Sequence, residues 1–187
     1  MKEYARYFTD ILGEGSMDRK ISGIARTAAN NAVKNKNKEE LGAAIVFLKQ
    51  YKPKNYKELS SELEVNFFGK TEDWKSYDKL VTKHLARYKK GDDKAYRDVS
   101  WNYYMKISNV ASLWKAEKWM QNNIKLNNTY ENNLTQAYLL YKLEVYSEAE
   151  DAVNYAIILA GEEKKTKNAQ ILKDQILKKL NKTEIPQ

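Results

Sequence analysis

Few residues in this chain of 187 have types and spacings suited to making or breaking bonds. There is no Cys, which excludes disulfide frameworks, zinc knuckles, thiol nucleophiles and CxxC redox chemistry within the chain. The one imidazole, His84, falls in the apolar row Trp74, Tyr77, Leu80, Val81, His84, Leu85 and Tyr88. With no second ligand or acid-base neighbour beside it, His84 reads as a packed histidine. The carboxylates cluster as doublets, Glu39/Glu40, Glu72/Asp73, Asp92/Asp93 and Glu162/Glu163, at helix starts or in loops. There the helix dipole favours negative charge, so they read as capping groups rather than general acid-base pairs. No residue is assigned a catalytic, metal or cofactor role, and the chain is not read as an enzyme. What remains is contact chemistry, carried by 14 Tyr and by Lys side chains on helical faces. Tyr138, Tyr141 and Lys142 share one face by their spacing.

The elements that must position these residues are helices. Two Pro and seven Gly are too few for a turn-rich β fold, and apolar positions recur at helical spacing from end to end. Tyr4, Tyr7, Phe8, Ile11 and Leu12 form a short amphipathic segment that stops at Gly13 and Gly15. Ser16 is then placed to cap a helix with the stripe Ile21, Ile24, Ala25, Ala28 and Ala32. Asn37 with Glu40, and Asn55 with Glu58, match the capping box; Pro53 ends the first of these two helices and Gly69 follows the second. Thr71 is placed to cap the helix carrying His84, which runs to Gly91. The expected organisation is an N-terminal helical region over residues 1–69 and a repeat region over 70–187.

Self-similarity is greatest between residues 98 and 160. At an offset of 33 residues, Trp101 aligns with Leu134, Ile107 with Leu140, Val110 with Leu143, Leu113 with Tyr146, Ala116 with Ala149, Ile124 with Ile157 and Leu126 with Leu159. Each unit reads as two antiparallel helices, with best repeats over 98–130 and 131–163 and a capping helix over 166–180. Ser147 with Glu150 matches a capping box for the last repeat helix, whose Ala149, Ala152, Ala156 and Ala160 offer a close-packing face. The pattern resembles the tetratricopeptide repeat, a helical hairpin of about 34 residues. The best match runs through Asn133, Leu134, Ala137, Leu140, Tyr146, Ala149, Ala156 and Leu159, with Glu144 where the turn Gly is customary. The expectation is an all-α helical hairpin array, a tetratricopeptide-like α-solenoid with an N-terminal helical layer and a C-terminal capping helix; a generic helical bundle is the alternative. In proteins of the resembled type the first helices line the concave side. That resemblance assigns peptide contacts to Met105, Asn109, Tyr138, Tyr141 and Lys142.

A wider resemblance covers residues 62–160. The order Phe67-Phe68-Gly69-Lys70-Thr71-Glu72-Asp73-Trp74, Tyr77, Trp101, Leu113, Ala116, Trp119, Asn133-Leu134 and Leu140-Tyr141-Lys142-Leu143 is similar to the helical C-terminal extension of bacterial thioredoxin-like proteins of the disulfide-interchange type. It implies a non-catalytic protein-protein interaction module whose partner is a polypeptide segment or an adjoining thioredoxin-like domain, in the bacterial periplasm or cell envelope. Without that resemblance the chain reads as cytoplasmic, since its first residues lack a signal peptide's apolar stretch and no run approaches the ~20 apolar residues of a membrane span. A purely structural domain packed on its parent protein is a further alternative. The net charge of +8 raises nucleic acid as another partner. Against it, residues 128–163 hold one Lys beside seven acids, and Lys outnumbers Arg 28 to 5 where bidentate phosphate recognition favours Arg.

Overall fold

A computed structural model describes residues 15–161 and 166–183. The amphipathic segment expected over residues 4–12 and the Glu162/Glu163 pair lie outside them. Among the described residues nine helices pack as consecutive antiparallel pairs, and no strand forms. They are α1 (Ser16–Asn35), α2 (Lys38–Tyr51), α3 (Tyr56–Lys70), α4 (Trp74–Tyr88), α5 (Asp93–Lys106), α6 (Val110–Leu126), α7 (Tyr130–Lys142), α8 (Tyr146–Ala160) and α9 (Lys167–Thr183). The fold is therefore all-α, a helical hairpin array, and none of these helices is long and apolar enough to cross a membrane. The chain divides into two compact units, Met1–Tyr88 and Lys89–Gln187. The boundary expected at residue 69 lies inside α3, and α4 belongs to the first unit.

Backbone conformation decides which expected caps form. Asn37 has extended backbone (ψ 108°), and its Oδ1 accepts from the amides of Glu39 and Glu40. The return bond of a full capping box is not made: Glu40 instead accepts from the side-chain amides of Asn35 and Asn37. Asp92, Asn109 and Thr129, with ψ of 87°, 117° and 161°, cap α5, α6 and α7 in the same way. Four expected caps fail: those of Asn55, Ser16, Ser147 and Thr71. Asn55 precedes α3 but has ψ 22°, and no side-chain bond forms. Ser16 is already helical because left-handed Gly15 makes the turn before it, and Ser147 lies inside α8, whose N-cap is Val145. Thr71 ends α3, donating its hydroxyl to the Phe67 carbonyl; Asp73 serves α4 by accepting from the Ser76 amide at 3.0 Å.

In the first unit, α1 packs on α2 and α3, α2 on α3, and α3 on α4. The stripe on α1 is Ile21, Ala25, Ala29 and Ala32; Ala29 takes the place expected for Ala28, and Ile24 is 50% exposed. These small residues let neighbouring helices lie close while Leu41, Leu48, Leu59, Leu63, Phe67 and Phe68 fill the core. Gly69 sits at the α3–α4 crossing, where a Cβ would stand 3.1 Å from the Tyr77 ring, tighter than ordinary van der Waals contact. His84 is buried on α4, its Nδ1 3.0 Å from the Ser61 hydroxyl and its ring beside Tyr88.

The second unit corrects the repeat register. Buried positions of α6 and α8 coincide at an offset of 36 residues: Leu113 with Ala149, Ala116 with Ala152, Glu117 with Val153 and Met120 with Ala156. Those of α5 and α7 coincide at 37: Ser100 with Ala137 and Tyr103 with Leu140. The offset of 33 also matches buried Ile107 with Leu140 and Ala116 with Ala149, but it includes Val110 and Leu126, which are 61% and 80% exposed. The two registers differ by three or four residues, one helical turn, so both preserve apolar periodicity while only one superimposes the packing. The capping helix is present as expected. Ala169, Leu172 and Ile176 of α9 are fully buried in a cluster with Ala137, Leu140, Ala149 and Val153, and Leu180 packs at its edge.

Candidate functional site

Helices α5 and α7 of the second unit lie side by side, pinned near both ends. At their N-terminal ends Asn132 donates to Asp93 Oδ1 at 2.7 Å, while the Arg97 guanidinium bonds both Asp93 Oδ2 and Asn132 Oδ1. The loop and α6 are tied into the same knot. Asn132 also donates to the Asn127 carbonyl, and Asn123 donates to the Asp93 carbonyl. At their C-terminal ends the Lys142 ammonium donates to the Tyr104 carbonyl and lies over the Tyr104 ring. N-terminus meets N-terminus and C-terminus meets C-terminus, so the two helices run parallel, as first helices of successive hairpins must.

Between the pins stands an aromatic cluster. Tyr138 meets Trp101 edge to face at 5.1 Å and lies 4.9 Å from Tyr104, while Trp101 and Tyr104 are 5.2 Å apart. Burial pushes the phenols of Tyr104 and Tyr138 above their ordinary range and pulls the Lys142 ammonium below its own. An open hollow of about 410 Å³ borders this cluster. Trp101, Leu134 and Tyr138 give it apolar walls; Arg97, Asp98, Asn102, Glu131, Thr135 and the Asn168 side of α9 give it a polar rim carrying both charges.

The five residues named from sequence are dispersed by this arrangement. Tyr138 lines the hollow. Met105 is exposed at the end of α5, and Asn109 spends its Oδ1 on the Ser112 amide as the α6 cap. Tyr141 packs with Tyr146 against the α7–α8–α9 core, and Lys142 is held at Tyr104. Trp101 and Tyr104 of the aromatic cluster, and Leu134, Arg97 and Asn168 of the hollow, are not among those five. The corrected offset would have found the first two, because 37 residues separate Trp101 from Tyr138 and Tyr104 from Tyr141.

The fold is a helical hairpin array, and in its second unit the hollow between α5, α7 and α9 is walled by aromatic side chains. Comparison with family models, with curated proteins and with solved structures finds no match. Among the described residues no group of three or more His, Asp or Glu is placed to hold a metal ion.

Proposed function

We propose that the second unit is a non-catalytic module that binds an extended polypeptide segment in the groove between α5, α7 and α9. The observation that carries this reading is the hollow walled by Trp101, Leu134 and Tyr138, with carboxylates, a guanidinium and amides along its rim. Large, rigid aromatic faces supply contact area at small rotamer cost, and the rim groups suit the amides and carbonyls of an extended chain. Because the walls are pinned by Asn132 at one end and Lys142 at the other, little ordering has to accompany binding. The resemblance of residues 62–160 to the helical extension of thioredoxin-like proteins supports a partner that is such a domain, or a segment presented to it, in the bacterial envelope.

The test begins with a random peptide library displayed on phage and selected on the full chain. Binding of a selected peptide is then measured by fluorescence anisotropy to wild type and to the Trp101→Ala, Tyr138→Ala double variant. The expected result is at least a tenfold loss of affinity, the scale of a hot-spot pair, with helical content retained. Unchanged affinity in a folded variant would remove the groove from consideration.

A further inference from the structure

The first unit carries a second hollow of different chemistry, about 360 Å³, formed where α2, α3 and α4 meet. Four cations line it, one helix at a time: Lys49 from α2, Lys57 from α3, and Lys83 and Arg87 from α4. Glu64 is the one acid among its described lining residues; burial raises its carboxyl above the ordinary range, and the charge of Lys49 offsets part of that rise. Lys57, Lys83 and Arg87 then remain as positive charge over a floor that includes the hydroxyl of Ser61, itself held against buried His84.

The sequence of α4 makes this charge harder to dismiss as ordinary surface. Lys75, Lys79, Lys83 and Arg87 follow one another at four-residue spacing, each exposed, so like charges are stacked turn upon turn. Such i,i+4 pairs of one sign weaken a helix, and α4 packs through Tyr77, Val81, His84 and Leu85 rather than through this row, of which Arg87 lies over the Tyr88 ring. An anion seated in the hollow relieves the repulsion at its C-terminal end, where the row meets Lys57 and the serine hydroxyl. Arg87 adds a planar fork matched to phosphate oxygens.

We propose that the α2–α3–α4 hollow of the first unit is a binding site for a single phosphate dianion, free or as a small phosphomonoester, held by Lys57, Lys83 and Arg87. The volume accommodates one such group rather than a duplex, and the ligand is independent of the peptide groove in the second unit. The experiment is a titration of the full chain with inorganic phosphate, followed by amide NMR shifts, against sodium chloride at matched ionic strength. Saturable shifts confined to the hollow, at millimolar phosphate or below, are expected. The Lys83→Gln, Arg87→Gln variant, altered only at exposed side chains, should bind at least tenfold more weakly, and Lys57→Gln should weaken binding too. A control with equal loss of charge elsewhere, Lys34→Gln with Lys178→Gln, should bind as wild type. Linear shifts matched by chloride, or an equal loss in the control, would overturn the site. The single-dianion reading also fails if vesicles containing phosphatidic acid bind while inorganic phosphate does not, or if a short single-stranded oligonucleotide binds a hundredfold tighter with a steep salt dependence.

Discussion

The two units use one secondary structure and different glue. The first is held by apolar packing of alanines, aliphatic side chains and the edge-to-face pairs Phe67–Phe68 and Trp74–Tyr77, with the exposed Arg26–Glu62 ion pair joining α1 to α3. The second interleaves its apolar core with buried amides, Asn123, Asn132 and Asn133 among them, and with edge-to-face contacts among Tyr96, Tyr103 and Trp119. An aliphatic face tolerates small rotations of one helix on another, whereas a buried amide network has one satisfied geometry. The second unit is thus the better scaffold for a groove whose walls must hold still, and the first offers charge on a simpler frame.

The sharpest way to separate the units is to remove the cap of the second. Leu172 and Ile176 are fully buried, and large-to-small changes at such sites cost about 2–5 kcal/mol each. The Leu172→Ala, Ile176→Ala variant should lose cooperative melting in the second unit, read by tryptophan fluorescence, because three of the four Trp (Trp101, Trp114 and Trp119) lie there. Hydrogen exchange in α1 to α3 should stay at wild-type rates. Equal loss in both units would show that they do not unfold separately.

Next in size is the contrast between the two kinds of glue. Asn132→Ala leaves the Asp93 carboxylate short of its closest donor and the Asn127 carbonyl without its side-chain partner, which should cost about 1–3 kcal/mol in urea unfolding. Arg26→Ala removes an ion pair whose side chains are nearly half exposed and should cost less than about 1 kcal/mol. If the order were reversed, the amide knot would not be what fixes α5 against α7.

How much of this was legible in the sequence follows the same division. Helices, their approximate ends, the packed histidine and the capping helix were readable because apolar spacing and burial report the same face. The repeat register was not, since a shift of one helical turn leaves apolar spacing almost unchanged; buried Ser100, set against buried Ala137 by the offset of 37, marks the alignment but carries no apolar signal. Caps were readable as residue types and not as conformations. Asn37 and Asn55 are the same residue in the same context, separated by a ψ of 108° against 22°. The hollow was least legible: of the five residues named from sequence only Tyr138 lines it, Trp101 was hidden by the misplaced offset, and the side chains of Asn109 and Lys142 are engaged within the fold.

Extremes of pH should divide the units by sign. In the second unit Tyr96, Tyr104, Tyr130 and Tyr138 all have phenols raised above 10.0, chiefly by burial. A raised folded value gives stability that is complete below the unfolded value and lost as pH rises through the folded one. Lys142, lowered by burial, acts in the opposite sense over the window below 10.5, as one group against four. The second unit should therefore unfold first above pH 10. In the first unit Asp73 is lowered below 3.8 by hydrogen bonds from the Ser76 amide and hydroxyl, so its contribution is present above that value and disappears as pH falls. Circular dichroism with residue-resolved exchange across both limbs checks the assignment; alkaline loss beginning in α1 to α3 would contradict it.

The smallest effects come from a matched pair of glycine exchanges. Glu144 closes the α7–α8 turn at φ 64°, where its amide donates to the Tyr141 carbonyl and that of Val145 to the Leu140 carbonyl. A side chain in this left-handed region costs about 1–2 kcal/mol, partly offset in a Gly replacement by the larger entropy that Gly loses on folding. Glu144→Gly should stabilise the second unit by roughly 0.5 kcal/mol on that balance. In the first unit Gly23 lies inside α1 with nothing within 4 Å of a built Cβ, so Gly23→Ala should gain about 0.5–1 kcal/mol from helix propensity alone. Gly69→Ala in the same unit meets the Tyr77 ring at 3.1 Å and should lose that gain, because the buried ring must shift to admit the methyl group. Thermal melts of the three variants order them as Gly23→Ala, Glu144→Gly and Gly69→Ala. A Gly69→Ala melt as high as that of Gly23→Ala would mean that α3 and α4 do not approach as closely as the Gly69–Tyr77 contact requires.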